Sequence, residues 1–296
     1  MFYLVIFIFP ILINSQVLDT DLSDGLNAEG VSIKYLEGSS EPFKGNVFNY
    51  YPNGNRELKG NYSRGLKEGK WVWWYPNGEK NKTGYYVRSL EDSIWQWWFK
   101  NGQLMKRGKY KKGKKEGRWS EWYEDGALAN SFGYIDDKPN GKCLKKYANG
   151  EKQIEIMYNY GIKSGIEKEW NENGIPIYEN NWKDGLKDGA QIIWAGNGLI
   201  LSKHRYSKGM LHGEYIDYYK SGQKSIVGNY RFGKKHGTWT YSYKDGVVAL
   251  SGNYRNGDPK GSWFWIRANK SEMVNVDDPD KDWVTKRIRE WERIYN

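Results

Sequence analysis

The stretch Trp71-Val-Trp-Trp-Tyr-Pro-Asn-Gly78, followed by Thr83-Gly-Tyr-Tyr-Val87, decides how this chain is read. Two runs rich in Trp, Tyr and Val flank an Asn-Gly pair, the strongest short signal for a β-hairpin. The same stretch recurs at a fixed interval. Stepping by 24 from Gly45 gives Gly69, Ser93, Gly117, Gly141, Gly165, Gly189, Gly213, Gly237 and Gly261, with no insertion. A second glycine column runs from Gly54 through Gly78 to Gly246, preceded by Asn, Asp or Ser. A third column is aromatic throughout: Tyr62, Tyr86, Tyr110, Tyr134, Tyr158, Trp182, Tyr206, Tyr230 and Tyr254.

Each 24-residue unit is therefore expected to be one hairpin, closed by a type I′ turn at its Asn-Gly or Asp-Gly pair. A second turn, around Gly65 and its equivalents, leads into the next anchor glycine. Turns alternating at both ends predict an elongated, single-layer antiparallel β-meander of about nine hairpins. At about 4.8 Å per strand it would extend on the order of 86 Å. Tyr50, Trp74, Trp98, Trp122, Trp170, Trp194 and Tyr218 are expected to stack column on column along it. A three-sided β-helix is the competing architecture, but its corners do not call for repeated hairpin pairs.

Units such as 71–78, and Gly-Asn-Tyr-Arg-Phe-Gly-Lys-Lys-His-Gly-Thr-Trp over 228–239, resemble MORN-repeat variants. More narrowly they resemble the YwqK-type antitoxin repeat proteins, as does the lead-in Glu41-Pro-Phe-Lys-Gly45 with Asn-Val-Phe-Asn-Tyr-Tyr-Pro-Asn-Gly54. The likeness covers about residues 36 to 266. It implies a hairpin-repeat fold and neutralisation of a toxic partner, and it supplies no catalytic residues to carry over.

The ends differ from the array. Residues 2–13 are an unbroken apolar run, too short to span a bilayer and of the length of a signal-peptide core. Residues 1–15 are read as a signal peptide and the protein as exported; an uncleaved N-terminal anchor is the alternative. Residues 16–42 form a lead with one strand-like piece, Val31–Tyr35, and the array occupies 43–266. Residues 267–296 are read as a linker and an amphipathic capping helix. Asp278-Pro279 supplies its N-cap and first-turn proline. Val284, Ile288, Trp291 and Tyr295 make its apolar face, docked on the last hairpin or, alternatively, laid on a membrane surface.

The chain has 296 residues, 49 of them aromatic (16 Trp, 24 Tyr, 9 Phe), one Cys and three His. One Cys excludes an intramolecular disulfide, and this Cys/His count speaks against a closed zinc site. His212 and His236 occupy equivalent positions before an anchor glycine, a slot filled elsewhere by Glu68, Glu116, Asn140, Asp188 and Lys260, and so read as solvated turn residues. Cys143 sits in a strand column used by Trp and reads as packing. No phosphate loop, nucleophile elbow or ligand spacing is present. The sequence thus names no catalytic, cofactor-binding or metal-binding residue and no cofactor, and it reads as a non-enzyme.

Two binding surfaces are candidates. With 46 Lys+Arg against 36 Asp+Glu, the formal net charge is +10. Lys67, Lys115, Lys163, Lys187 and Lys235 share one column and would line an edge suited to an anionic membrane or glycan. Across 143–204, Cys143, Glu167 and Gln191 replace the Trp71, Trp95 and Trp119 column, while Ile175, Ile177, Leu199 and Leu201 appear. That irregular middle is either drift in a tolerant region or a bend or partner-contact face. The favoured function is an exported protein-interaction scaffold with a protein partner. An antitoxin- or immunity-like role is the alternative, surface binding a further one, and export argues against nucleic acid.

Overall fold

A computed structural model describes residues 17–267, 270–276 and 281–295, so the expected signal peptide and the Asp278-Pro279 cap lie outside the described residues. The fold is an open antiparallel meander of hairpins with a single α-helix, Lys281–Tyr295, at the C-terminal end. It divides into two units, Met1–Ala127 and Leu128–Asn296.

The two turns of each repeat exchange the roles expected of them. At the Asn-Gly end, Gly54 Nα donates to Tyr51 O and Tyr51 Nα donates to Asn55 O. Gly54 alone has positive φ, at 83°, as do its equivalents down the column. This is a three-residue loop, a turn followed by a left-handed glycine, and it shifts the register by one, as between Trp73 and Trp74. The type I′ geometry sits at the other end. Arg64 and Gly65 have φ of 51° and 72°, and Ser63 pairs with Leu66 across them. Lys112-Gly113, Tyr160-Gly161 and Phe232-Gly233 repeat the pattern. Proline before Asn53 and Asn77 favours the looser loop, because its ring presets the negative φ wanted at the first turn position.

The anchor glycine is a bulge rather than a turn. Thr83 pairs with Gln96 and Tyr85 with Asp92, so Gly84 faces three residues, Ser93 to Trp95. Gly69, Gly117, Gly165 and Gly237 hold φ between 66° and 70° at this point, and Ser93 holds 60°. Ser93→Gly is therefore expected to stabilise the first unit by about 0.5–1 kcal/mol, since a left-handed conformation penalises a Cβ. Denaturant unfolding should show a raised midpoint at unchanged slope.

Neighbouring repeats are tied at both ends. Tyr51 and Tyr75 donate their hydroxyls to Trp74 O and Trp98 O, both at 2.8 Å. Asn53 and Asn77 Nδ2 donate to Pro76 O and Lys100 O at 2.8 and 3.0 Å. At the type I′ end, Gly113 Nα donates to Glu91 O, and Gly209 Nα to Lys187 O. The slot before the anchor takes part too. Glu68, Asp92, Asn140, Asp188 and His212 accept from the first backbone N–H of the following turn, at 2.9–3.4 Å. Glu68, Asn140, Asp188 and His212 were read as merely solvated; each, like Asp92, is an acceptor for a backbone donor.

The lead closes the first unit. Val17–Leu18 pairs in parallel with Gly45–Tyr50, and Leu22–Leu26 with Ser32–Leu36 forms a separate hairpin. Tyr62 donates its hydroxyl to Asp19 at 3.0 Å, and Lys34 Nα donates to Gly65 O. At the other end, the stretch read as a linker contains an edge strand, Lys270–Asn275, paired with Asp258–Arg267. The helix lies over this region. Val284 and Trp291 join Tyr241, Leu250, Trp263 and Trp265 in one core, with Ile288 and Trp283 packed against it.

Candidate binding faces

Side chains alternate across each strand, so every unit has two faces. Trp71, Trp95 and Trp119 lie on one of them, and the bulge turns each indole over the glycine eleven residues earlier. A Cβ on Gly60, Gly84 or Gly108 would lie 2.0–2.3 Å from the ring of Trp71, Trp95 or Trp119. Strands between them contribute the tyrosine column, giving an edge-to-face ladder. Tyr62–Trp71, Trp71–Tyr86, Tyr86–Trp95, Trp95–Tyr110 and Tyr110–Trp119 stand 4.8–6.0 Å apart. The second unit ends on the same ladder, Tyr230–Trp239–Tyr254–Trp263.

The expected stack through Trp74 does not form as a ring-on-ring row. Its members sit two strands apart, about 9.6 Å, beyond the reach of ring contact. Cations from the same or neighbouring strands stand over several of them. Arg56 lies 5.6 Å from the Trp74 ring, Lys80 5.9 Å from Trp98, and Lys168 5.9 and 5.6 Å from Trp170 and Trp194.

Burial raises Tyr62, Tyr86, Tyr230 and Tyr254 of the ladder, with Tyr86 and Tyr254 each pushed up to about 12. A phenol held neutral in the folded chain stabilises it fully below the ordinary value near 10. That contribution is lost as pH climbs through the folded value. Stability is expected to fall between about pH 10 and pH 12, and absorbance at 295 nm should show these two phenols ionising late, together with unfolding.

The five column lysines are half-buried. Their ammonium groups lie over rings: Lys67 over Trp71 at 4.7 Å, Lys115 over Trp119 at 5.1 Å, Lys163 over Trp182 at 4.7 Å, Lys187 over Tyr206 at 5.0 Å and Lys235 over Trp239 at 4.3 Å. Desolvation lowers the pKa of Lys187 and Lys235. Each cation is thus already engaged with the aromatic face.

In the second unit the Trp–Gly ladder gives way to a polar row. Register places Glu167 opposite Asn180, Asn180 opposite Gln191, Gln191 opposite His204 and His204 opposite Tyr215. Glu167 is buried, paired with Lys163 Nζ at 2.7 Å and accepting from Trp182 Nε1 at 2.8 Å. His204 stacks on Tyr215 at 3.9 Å, and both reach the Asp217 carboxylate, at 2.9 and 2.8 Å. Asn180 is 1% exposed, with neither side-chain polar atom hydrogen-bonded. Asn180→Leu, of similar shape, should raise stability by about 1 kcal/mol by removing two unpaired buried groups. A decrease would show that the amide has a partner in solution.

The four apolar candidates of this region occupy two equivalent places. Ile175 and Leu199 follow the turn glycine in adjacent repeats, Leu199 exposed and Ile175 half-buried against Gly198. Ile177 and Leu201 lie two residues on and are half-buried; Leu201 helps to line a cleft of about 640 Å³ with Asp217, Tyr219 and Trp291. A larger exposed apolar row lies at the type I′ end and was missed. Ile162 (52% exposed), Leu186 (50%), Met210 (45%) and Phe232 (62%) mark successive turns. Ile162 rests against Gly185, and Leu186 against Gly209. The signal was in the sequence, as an apolar residue just after the second-turn glycine in Ile162, Leu186 and Met210, and just before it in Phe232.

Five stretches match the MORN repeat variant. They are residues 44–64, 67–88, 91–112, 163–184 and 235–256. The MORN-variant segments coincide with hairpins described above, three in the first unit and two in the second. MORN repeats of this kind indicate a repeat-based binding module. A search of the curated proteins gives no match. Among solved structures, the crystal structure of TcdB2-TccC3 is similar at 10% identity over 86% of this chain and 17% of that one, with a TM-score of 0.19. That of TcdB2-TccC3-Cdc42 gives 9% identity, 87% and 16% coverage and a TM-score of 0.18. The chain spans about one sixth of the length of those chains, and likeness at these TM-scores bears on neither fold nor function.

Proposed function

We propose that this protein is a non-catalytic, exported repeat scaffold that binds another protein. The exposed row Ile162, Leu186, Met210 and Phe232 carries this reading. A contiguous apolar patch on a polar surface is the ordinary mark of a protein contact. The stacked turns beneath hold Ile162, Leu186 and Met210 at a fixed pitch of two strands, about 9.6 Å, and Phe232 stands in the turn that follows. Export rests on the apolar run at residues 2–13. The irregular middle, with Ile175, Ile177, Leu199 and Leu201, lies toward the opposite strand ends and is a second candidate contact. The lysine column supports surface binding poorly, since its cations already face aromatic rings.

The test is a tagged pull-down from the native host, on separated cytosol, envelope and medium, with mass spectrometry. One stoichiometric partner in envelope or medium, lost with Leu186→Asp and Met210→Asp together, is the expected result. A cytosolic toxin as the captured partner would favour an antitoxin role and remove export. Retention on membranes that salt reverses, with no protein partner, would replace scaffolding by surface binding.

A further inference from the structure

The second unit displays what its own aromatic face accepts. Tyr241 and Trp265 are neighbours in the column two residues beyond the indole ladder, and the C-terminal helix covers them. Trp291 meets Tyr241 at 5.4 Å and donates from Nε1 to Ser242 O at 3.2 Å. Arg287 stands 5.8 Å from the Trp265 ring. Between Tyr241 and Trp265 lies Leu250, fully buried. Carboxylates on the helix answer the cations beneath: Glu290 pairs with Arg267, and the field of Glu292 favours the charged form of Lys235.

The 24-residue period puts the same arrangement in the first unit. Trp73 and Trp97 are the equivalents of Tyr241 and Trp265, flanking the same indole ladder, and both are half-buried. The position of Leu250 is taken by Lys82, and the next by Lys106. Lys82 Nζ lies 4.3 Å from the Trp73 ring, and Lys106 Nζ 5.7 Å from the Trp97 ring. Lys106 is paired with Glu121 at 2.9 Å, whereas Lys82 has no carboxylate within salt-bridge distance among the described residues. Burial first and the neighbouring Lys67 second lower the Lys82 pKa, and the field of Glu91, which makes no ion pair with Lys82, opposes them without cancelling the shift.

We propose that the Trp73–Lys82–Trp97 face of the first unit is a docking surface for an amphipathic helix of a partner protein, one that presents an aromatic residue and a carboxylate on the same side. The inference rests on the protein-binding reading above and gives the partner its chemistry. The aromatics would cover Trp73 and Trp97 as Trp291 covers Tyr241. The carboxylate would meet Lys82, where the helix of the second unit meets leucine.

The probe is a fluorescein-labelled peptide of residues 281–295 carrying Arg287→Glu, titrated with the full chain and read by anisotropy. Saturable binding is expected, weakened at least tenfold by Lys82→Glu or Trp97→Ala. Lys82→Met keeps the aliphatic stem and copies the apolar position of the second unit, so it guards against misfolding of the charge reversal. It should bind the Arg287→Glu peptide more weakly than the unaltered chain does, and the unaltered 281–295 peptide more tightly. Absence of saturable binding, or equal affinity for Lys82→Glu and the unaltered chain, overturns the proposal. So does binding of a heparin oligosaccharide that depends on Lys82 when the peptide does not bind. In the native-host pull-down, a partner kept by both Lys82→Glu and Trp97→Ala removes this face and leaves the scaffold reading. Absence of any partner for the unaltered chain removes the scaffold reading itself.

Discussion

Gly84→Val is expected to lower the stability of the first unit by about 3 kcal/mol or more, a large effect for a residue with an ordinary backbone conformation. The reason is steric. A Cβ at this position would lie 2.1 Å from Cδ2 and Cε2 of Trp95. The indole cannot retreat, being packed against Tyr86 at 5.1 Å and Trp97 at 5.8 Å, with Nε1 donating to Tyr85 O at 3.2 Å. Overfilling a packed site usually costs about 1–3 kcal/mol, and this one has rigid rings on several sides. Gly196→Ala is the control, because a Cβ there meets nothing within 4 Å and its φ is not positive. Rescue is the sharper test. The chain itself abandons glycine only where it also abandons tryptophan, as in Phe132 with Cys143, Asn180 with Gln191 and His204 with Tyr215. Gly84→Asn with Trp95→Gln should therefore cost less than the sum of the single changes, with a coupling of at least about 1 kcal/mol. Strict additivity in denaturant unfolding, followed by near-ultraviolet circular dichroism, would mean that the two positions are not packed together.

That coupling explains which features the sequence disclosed. Period, hairpins, tyrosine column and capping helix all follow from residue types at fixed offsets, and each is a local preference or a one-face pattern. The turn types were harder to read. Asn-Gly suits a type I′ turn in isolation, but proline before Asn53 and Asn77 and the stacking of Asn Nδ2 onto the next turn favour the three-residue loop. The other turn, built on pairs as different as Arg64-Gly65 and Phe232-Gly233, takes the type I′ form because two-residue closure demands it. Contacts between columns were not read at all. The Gly60–Trp71 offset of eleven residues is visible only once the bulge at Gly69 is known to swing the indole across the neighbouring strand. The lysine column illustrates the same gap, since a period places five cations in register but cannot say that each folds back over a ring. Glu167 looked like drift for a similar reason: its partners, Lys163 and Trp182, come from its own strand and the next one.

Trp291→Ala should cost the second unit about 3–5 kcal/mol, the range for removing a large buried aromatic. Trp291 is 6% exposed and joins the helix to Tyr241 and, through Nε1, to the Ser242 carbonyl. A 15-residue helix is marginal on its own, so its persistence depends on this docking. With the indole gone, Val284 and Ile288 remain on the sheet, but Tyr241, Leu250 and Trp265 lose part of their cover. Three readouts should move together: helical circular dichroism falls, trypsin cuts faster at Arg287 and Arg289, and the unfolding midpoint of the second unit drops. Repeat proteins transmit stability through nearest neighbours, so spectroscopic probes placed in the first unit should move far less. Arg289→Ala, on the exposed side of the same helix, should stay within about 0.5 kcal/mol of the unaltered chain. If Trp291→Ala left the helical signal and trypsin resistance intact, the helix would be held by its ion pairs, Arg287 with Glu272 at 2.7 Å and Arg267 with Glu290, rather than by apolar burial. Exposed pairs of this kind contribute little, typically below about 1 kcal/mol each. The indole is therefore the group whose loss separates the two accounts, and the same measurement reports how firmly an aromatic face of these repeats holds a helix.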